Sequence, residues 1–213
     1  MSYRNFIFDW SGTLVNDFPP TLDATNVVLG RYGVAEMSEE VFRARFRLPY
    51  TEFYEEVLPG VAMAELEEHF RVAFRASRHG VGLLSGAREM LEWLRGRGGR
   101  LFVLSSMDEG VFLEQARDLQ VREFFEDIHA GVIDKRERIG RILEENGLLA
   151  AETCFVGDMV HDVETARFGG VASVAVLTGY DSRERLSSVR PDLMMTDLAA
   201  FRSWLEVAGK EVR

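Results

Sequence analysis

The chain has 213 residues, a mass of 24.2 kDa and a formal net charge of −10 at pH 7. This length accommodates one domain with a full core, or one domain with a smaller insertion, and excludes two large independent domains. The acidic balance argues against a nucleic-acid partner or an anionic membrane surface, and no apolar window approaches the roughly 18 residues of a membrane span.

The N-terminal segment and the cysteine content indicate the cellular compartment. The segment MSYRNFIFDW lacks the small-residue cleavage pattern of a signal peptide. Cys154 is the single cysteine, so an intrachain disulfide is excluded and the thiol is expected to fill the core. We therefore expect a cytoplasmic protein, either a monomer or a homodimer, without a nucleic-acid or membrane partner.

Short apolar runs alternate with helical periodicity along the chain. Strands are predicted at residues 5–8, 100–104, 127–131, 153–156, 173–177 and 192–195. Helices are predicted at about 86–97, 109–119, 136–146, 161–168 and 197–207. This alternation is typical of an α/β fold, here a doubly wound, Rossmann-like and mostly parallel sheet, whose ligands bind at the carboxyl ends of the strands.

One region departs from the alternation. Between residues 19 and about 77 the sequence shows only helical patterns separated by Gly or Pro turns. We predict a helical cap domain at residues 18–77, inserted into a core domain formed by residues 1–17 and 78–213. The alternative is a set of extra helices in one domain, which is less typical because helices of a doubly wound fold alternate with strands.

The stretch FDWSGTLV follows the first predicted strand. The carboxylate of Asp9 is expected at the strand end, where backbone amides of a tight Gly-containing turn could hold an anion. A nucleophilic carboxylate beside an anion-binding turn suits phosphoryl transfer. An Asx-turn at a strand end is the structural alternative.

The stretch LFVLSSM places Ser105 and Ser106 after the second large strand. Their hydroxyls, with the amides at the start of the next helix, would hold a phosphate; a serine that only caps the helix is the alternative.

The nearby LRGRGGRL, at residues 94–101, resembles an RNA-binding box but is better interpreted as a glycine stop of a helix with basic residues near its C-terminus.

Lys135 is unusual in this composition. Of 25 basic residues only Lys135 and Lys210 are lysine, which leaves 25 − 2 = 23 arginines. A lysine at this position suggests that a compact ammonium is required rather than a planar guanidinium. A solvated lysine at a helix start is the alternative.

The stretch CFVGDMVHDVETARF places Asp158 at a strand end and Asp162 four residues later, on the same face of a helix. Two carboxylates so close repel each other unless a cation or a helix N-terminus relieves the charge. A hard cation with oxygen ligands, most simply Mg²⁺, would do so. His161 is expected to be a solvated or capping residue, because Mg²⁺ prefers oxygen ligands.

In this order and at strand ends, the four motifs resemble the haloacid dehalogenase superfamily of hydrolases, in the branch of small phosphatases that includes phosphoglycolate phosphatase and β-phosphoglucomutase. The resemblance covers Asn5 to about Leu205, including the position of the cap. It implies that Asp9 is the nucleophile that forms an aspartyl-phosphate, and that phosphate is bound by Trp10, Ser11, Ser105, Ser106 and Lys135. It further implies that Mg²⁺ is held by Asp9, the backbone carbonyl of Ser11 and Asp158, with Asp162 in support.

Position 11 departs from this family pattern. Most phosphatases of this kind carry a second aspartate there as general acid and base, a role that serine does not fill near neutral pH. Phosphonoacetaldehyde hydrolases form a Schiff base with a cap lysine, whereas residues 1–134 contain no lysine. The 2-haloacid dehalogenases lack the glycine-aspartate pair seen here as Gly157 and Asp158. The pattern therefore favours phosphate chemistry.

The leading hypothesis is a Mg²⁺-dependent phosphohydrolase that acts on a small phosphorylated metabolite. The alternatives are a phosphate-ligand binding protein that has lost turnover and a dehalogenase-like hydrolase. With Ser11 in place, substrates whose leaving groups are weak bases should be favoured, and Ser11→Asp should raise turnover of alkyl phosphates. If it does not, Asp17 and His161 are the nearest candidates in sequence for the acid.

The stretch FRARFRLPY in the predicted cap contains Arg43, Arg45 and Arg47. At helical spacing Arg43 and Arg47 share a face. We expect these arginines to be the candidates for binding a second anionic group of the substrate, with Arg47 as the specificity residue and Arg47→Ala raising KM for the natural substrate. A solvated helix face is the alternative.

Overall fold

The structure, a computed structural model, describes residues 3–208. Residues 1–2 and 209–213 of the predicted core domain lie outside the described residues. The strands are β1 Asn5–Phe8, β2 Val15–Asn16, β3 Gly82–Leu83, β4 Arg100–Leu104, β5 Asp127–His129, β6 Thr153–Gly157, β7 Ala172–Val176 and β8 Leu193–Met195. Six of them form one parallel sheet in the order β5-β4-β1-β6-β7-β8, and β2 pairs antiparallel with β3.

The helices of the insertion are α1 Phe18–Arg31, α2 Glu39–Arg45, α3 Tyr50–Val57 and α4 Met63–Ala76. The remaining helices are α5 Ala87–Gly96, α6 Glu109–Asp118, α7 Arg136–Glu145, α8 Val160–Phe168, α9 Arg183–Ser188 and α10 Leu198–Ala208, with short 3₁₀ turns at Arg122–Phe124 and Ala150–Glu152. Among the described residues, no helix has both the length and the apolar character needed to cross a membrane.

The predicted α/β class and the six strands of the parallel sheet are confirmed, with small differences at the ends. The fifth strand stops at His129, before Gly131, whose φ of 70° is incompatible with an extended strand. Helix α9 and the two-residue strands β2 and β3 were not predicted, because segments this short carry too little periodicity. The glycines of LRGRGGRL end α5, as expected: α5 finishes at Gly96, and Gly98 has a φ of 78°.

Strand β1 lies at the centre of the sheet, between β4 and β6. Its side chains alternate between two hydrophobic clusters: Phe6 and Phe8 pack on one face, whereas Ile7 packs on the other with Phe102 and Phe155. Burial on both faces explains why this strand reads as an unbroken apolar run. Because the strand order reverses at β1, a crevice opens at the carboxyl ends of β1, β4 and β6.

Helices α1 to α4 enclose a hydrophobic cluster of their own. It is centred on Leu29, Phe42, Phe53 and Leu66, and residues from two core loops, Met159 and Tyr180, complete it. The short β2–β3 ladder joins the chain where it enters and leaves this helical region, since Val15 pairs with Leu83. The four helices fall within residues 18–77, and their status as a separate domain stays a prediction.

Candidate active site

Four buried charged side chains lie together at the base of the crevice, and we call this cluster the floor. Its members are Asp9, Lys135, Asp158 and Asp162. Asp9 directly follows β1, Asp158 directly follows β6, and Lys135 precedes α7. The Lys135 Nζ donates to Asp9 Oδ1 at 2.6 Å and to Asp162 Oδ1 at 2.7 Å. Lys135 is fully buried, so the alternative of a solvated helix-start lysine is excluded.

Burial and ion pairing shift the pKa values of Asp9 and Lys135 in opposite directions. Burial raises the pKa of Asp9 to about 7, although Lys135 pulls it down. Burial alone would lower the pKa of Lys135, but Asp162 and Asp9 outweigh it and hold that pKa above its usual range. Burial, and then the charges of Asp9 and Asp162, raise the pKa of Asp158 well above its ordinary value.

Asp158 is held in a narrow cradle. Its Oδ1 accepts from Thr13 Oγ1 at 2.8 Å, and its Oδ2 accepts from the backbone amide of Tyr180 at 2.7 Å. A Cβ on Gly179 would lie 1.9 Å from Asp158 Oδ2, and one on Gly12 would lie 2.6 Å from it. Both glycines are therefore needed for the carboxylate to occupy this position.

The donor set of the floor fits a divalent cation. Asp9, Asp158 and Asp162 each offer a carboxylate oxygen, and these oxygens lie within 4.8 Å of one another. The ammonium of Lys135 pairs with Asp9 and Asp162. With three carboxylates and one ammonium in the floor, two negative charges stay uncompensated if all are ionised. Buried oxygen ligands with excess negative charge are what a hard cation such as Mg²⁺ prefers. Asp162 also anchors the start of α8, since its Oδ2 accepts from the amides of Asp158 and Met159.

The turn after β1 orients Trp10 away from the crevice. Its indole Nε1 donates to Gln115 Oε1 at 2.7 Å, and its ring packs edge-on against Phe112. The Trp10 side chain is fully buried in the core, so only its backbone remains near Asp9. Three amides of the turn, including that of Leu14, donate to the Trp10 carbonyl, and this closes the loop that carries Ser11.

The two serines after β4 line the crevice and do not cap α6. That capping role belongs to Asp108, whose side chain accepts from the amide of Val111. Ser105 Oγ accepts from the amide of Met107, whereas the buried Ser106 Oγ has no hydrogen-bond partner among the described residues. A buried hydroxyl without a partner, in the lining of the cavity that Asp9 also lines, is a suitable donor for an oxyanion.

Ser11 is paired with a carboxylate six residues later in the chain, that of Asp17. Its hydroxyl donates to Asp17 Oδ2 at 2.6 Å, and the Tyr180 hydroxyl donates to Asp17 Oδ1 at 3.0 Å. Asp17 is buried at the start of α1, and burial raises its pKa to about 6 against the lowering by Ser11 and Tyr180. The position where the family pattern has one aspartate therefore holds a serine–aspartate pair.

His161, the other candidate for the acid, has different contacts from the Ser11–Asp17 pair. Its Nε2 accepts from the backbone amide of Lys135 at 3.2 Å. Burial, and then the charge of Lys135, lower its pKa to about 4. The imidazole is therefore neutral at neutral pH and positions the segment that carries Lys135. It is neither solvated nor suited to donate a proton.

The floor opens into a cavity of about 490 Å³ between the sheet and helices α1 to α4. Asp9, Ser11, Asp17, Ser105, Ser106 and Lys135 all line it. Arg47 does not: its guanidinium pairs with Glu52 and Glu56 and borders a separate cavity of about 320 Å³. The structure therefore brings the predicted site residues of the core together around one cavity. The predicted specificity residue, Arg47, lies outside that cavity.

Sequence reasoning missed Tyr180 and Gly179, which contact Asp158 from the loop after β7. The segment TGYD follows a predicted strand, so the rule that ligands bind at carboxyl ends of strands could have indicated it. Nothing in the local pattern distinguishes it from an ordinary loop.

Comparison with known proteins agrees with this architecture. Residues 6–176 match the model of the family described as haloacid dehalogenase-like hydrolase. A 5'-nucleotidase of Pseudomonas aeruginosa is 29% identical, over 97% of both chains. A phosphoglycolate phosphatase of Synechococcus elongatus is 26% identical, over 89% of this chain and 91% of the relative.

Solved structures share the fold. A haloacid dehalogenase-like family protein of Streptococcus pneumoniae superposes with a TM-score of 0.81 at 19% identity, over 95% of this chain and 98% of that one. A hydrolase of Pseudomonas syringae gives a TM-score of 0.82 at 18% identity, over 95% and 98%. The chain therefore belongs to the haloacid dehalogenase-like hydrolases and, within that family, to the phosphatases that resemble phosphoglycolate phosphatase.

Proposed function

We propose that the protein is a Mg²⁺-dependent phosphomonoester hydrolase that works through an aspartyl-phosphate on Asp9. The observation that carries the proposal is the position of Asp9: a buried carboxylate at the floor of the cavity, paired with Lys135, in a lining that also contains the unpartnered hydroxyl of Ser106. The substrate's phosphoryl group would rest on Ser105, Ser106, Lys135 and the backbone of the turn at Trp10 and Ser11. Mg²⁺ held by Asp9, Asp158 and the Ser11 carbonyl, with Asp162 in support, would offset the charge between phosphate and carboxylate.

The reaction has two displacements at phosphorus. The Asp9 carboxylate attacks, the ester P–O bond breaks, and the leaving oxygen takes up a proton as it departs as an alcohol. Water then attacks the phosphorus of the aspartyl-phosphate and loses a proton, which releases inorganic phosphate and regenerates the Asp9 carboxylate.

The Ser11–Asp17 pair is the proposed route for both protons. The Ser11 hydroxyl lies at the cavity and is already hydrogen-bonded to Asp17 Oδ2 at 2.6 Å. A proton given by Ser11 Oγ to the leaving oxygen can be replaced from Asp17, and one taken from water can return to Asp17. In this proposal the Ser11 hydroxyl relays protons between the substrate and the carboxyl group of Asp17.

A direct test is phosphate release from p-nitrophenyl phosphate with Mg²⁺ and with EDTA. We expect turnover that requires the metal and that disappears in Asp9→Asn. The matched control is Asp118→Asn, which neutralises an exposed aspartate of α6 and should leave turnover unchanged. A folded protein that releases no phosphate from a broad panel of esters, anhydrides and acyl phosphates would overturn the proposal.

A second candidate function follows from the same departure at position 11. A phosphate-ligand binding protein would keep the floor and the fold without needing a carboxylate at Ser11. It predicts that a phosphate ester raises the melting temperature of the protein in Mg²⁺ while no phosphate is released, whereas the hydrolase predicts both binding and release.

The names of the two relatives point to substrates of opposite character. A nucleotide carries a large heteroaromatic base, whereas phosphoglycolate carries a two-carbon carboxylate. The floor would serve either substrate, because in the proposed function it contacts only the phosphoryl group. The walls of the cavity must therefore decide between them.

A further inference from the structure

The helical region contributes part of the cavity lining. We call five of its lining residues the cap wall: Phe46, Leu48, Tyr50, Phe70 and Phe74. Phe70 and Phe74 stack on each other with ring centroids 5.8 Å apart and an interplanar angle of 29°. Core residues add Met107, Ile133 and Met159 to the same apolar lining. Four of the five side chains of the cap wall are aromatic, which suits contact with the face or edge of another ring.

The size of the cavity exceeds what a small phosphate ester needs. Its volume is about 490 Å³. It lies within the range of about 300–1,000 Å³ that is typical of sites for larger organic ligands. A two-carbon ester bound at the floor would leave most of this apolar space filled with water.

The charges of the lining disfavour a second anionic group on the substrate. Beyond the floor, the acidic residues are Asp17, Glu67, Asp108 and Glu109, whereas the single basic residue among the described lining is Arg71. Arg71 is ion-paired with Glu68 on its own helix. A carboxylate at the far end of the substrate would thus meet more negative than positive charge.

From these three observations we infer that the natural substrate is a phosphomonoester whose other end is a flat aromatic ring without negative charge, bound against the cap wall. The inference rests on the proposed function, because it assumes that the phosphoryl group lies at the floor. It replaces the expectation that Arg47 binds a second anion, since Arg47 lies outside this cavity.

Two substrates with the same ester isolate the contribution of the ring. Adenosine 5'-monophosphate and ribose 5-phosphate both release a primary alcohol of the same sugar, so the leaving-group chemistry is matched. We expect kcat/KM to be about 5- to 150-fold higher for the nucleotide, the range that stacking of a base on an aromatic side chain supplies. 2-Phosphoglycolate, with its carboxylate, should be the poorest of the three.

A pair of variants assigns the preference to the cap wall. Phe70 is only partly buried, so Phe70→Ala should fold, and it should reduce the ratio of kcat/KM for the nucleotide to that for ribose 5-phosphate at least fivefold. The control Phe168→Ala removes a ring that is 70% exposed on α8 and should leave the ratio unchanged. A ratio that is unchanged in Phe70→Ala would overturn the placement of the ring.

The outcomes separate this inference from the proposed function. If the protein hydrolyses ribose 5-phosphate or 2-phosphoglycolate as efficiently as the nucleotide, the substrate inference is wrong and the hydrolase proposal stands. If neither these three esters nor p-nitrophenyl phosphate releases phosphate with Mg²⁺, the hydrolase proposal itself fails. The comparison with the unmodified protein does not depend on any variant, so misfolding of Phe70→Ala would not obscure it.

Discussion

The floor and the cap wall belong to one cavity but differ in how far their charged side chains are buried. In the floor, Asp9, Lys135, Asp158 and Asp162 are all buried, and Lys135 holds two of the three carboxylates directly. Around the cap wall, charged side chains such as Arg71 and Glu68 remain partly exposed and pair with near neighbours in sequence. Desolvated charges interact far more strongly than solvated ones. In the proposed function the floor supplies the chemistry, and in the further inference the cap wall selects the molecule on which it acts.

The largest expected effect comes from removing the cation of the floor. Lys135→Met keeps the length of the side chain and leaves Asp9 and Asp162 without their partner, so turnover should be lost. In metal-free buffer the free energy of unfolding should fall by about 3–5 kcal/mol, the typical cost of an uncompensated buried charge. Urea unfolding followed by circular dichroism measures this change.

Arg141→Met is the matched control for that variant, because it removes an exposed cation from the same helix, α7. Its free energy of unfolding should stay within about 0.5 kcal/mol of the parent. Equal stability of Lys135→Met and Arg141→Met would show that the floor is not the desolvated charge network described above.

The next effect concerns the Ser11–Asp17 pair. Ser11→Ala and Asp17→Asn should each lower kcat for an alkyl phosphate by about 10²–10⁴, and the double variant should be no slower, because residues that act as a unit are not additive. Hydrolysis of p-nitrophenyl phosphate, whose leaving group needs little protonation, should fall much less. Independent, multiplying losses on both substrates would contradict a shared proton route.

The same pair changes the expectation for Ser11→Asp. A carboxylate at position 11 would face Asp17, which the serine hydroxyl now contacts at 2.6 Å. The two negative charges would repel, so Ser11→Asp alone should not raise alkyl phosphate turnover. Ser11→Asp combined with Asp17→Asn removes the repulsion and should be faster than Asp17→Asn by one to three decades. A faster Ser11→Asp single variant would argue that Asp17 takes no part.

A smaller effect is expected where the floor meets its supporting loop. In Gly179→Ala the added Cβ would lie 1.9 Å from Asp158 Oδ2, so the carboxylate must move. The Mg²⁺ concentration for half-maximal activity should rise about 10- to 100-fold, as for other residues that orient a metal ligand. Gly140→Ala, whose Cβ would meet nothing within 4 Å, is the control and should leave the metal requirement unchanged. An unchanged metal requirement in Gly179→Ala would exclude Asp158 as a ligand.

The smallest effect is expected at Arg47. Its side chain is 36% exposed, and its guanidinium pairs with Glu52 and Glu56 beside a different cavity. Exposed ion pairs contribute about 0–1 kcal/mol to stability, and Arg47→Ala should change KM for any substrate less than about twofold. A several-fold rise in KM would restore the assignment that the sequence suggested.

The residues of the floor could be predicted because each depends on a local motif and one global rule. Asp9 and Asp158 of the floor each follow a strand that reads as a continuous apolar run, as Ser105 of the cavity lining does, and parallel strands present their carboxyl ends at one edge. Lys135 was indicated by composition, because lysine is rare in a chain whose other basic residues are nearly all arginine. For these residues the order of motifs along the sequence was sufficient to predict a common site.

The remaining contacts could not be predicted because they depend on how separate segments pack. Asp17 meets Ser11 and Tyr180 only because the start of α1 lies against the loop after β7. Helical spacing predicted that Arg43 and Arg47 share a helix face, but this was wrong, because α2 ends at Arg45 and Arg47 lies beyond it. Arg43 itself donates to the carbonyl oxygens of Gly179 and Tyr180. Trp10 illustrates the same limit, since its side chain points into the core.

The most direct test of the central claim is to locate the phosphoryl group during turnover. Acid quenching of the enzyme with Mg²⁺ and p-nitrophenyl phosphate, followed by borohydride reduction and peptide mass spectrometry, should find the modified residue at Asp9 and at no other position. Asp9→Asn should show neither the modification nor phosphate release. Phosphate release that persists in Asp9→Asn, or a phosphoryl group on another residue, would contradict the account.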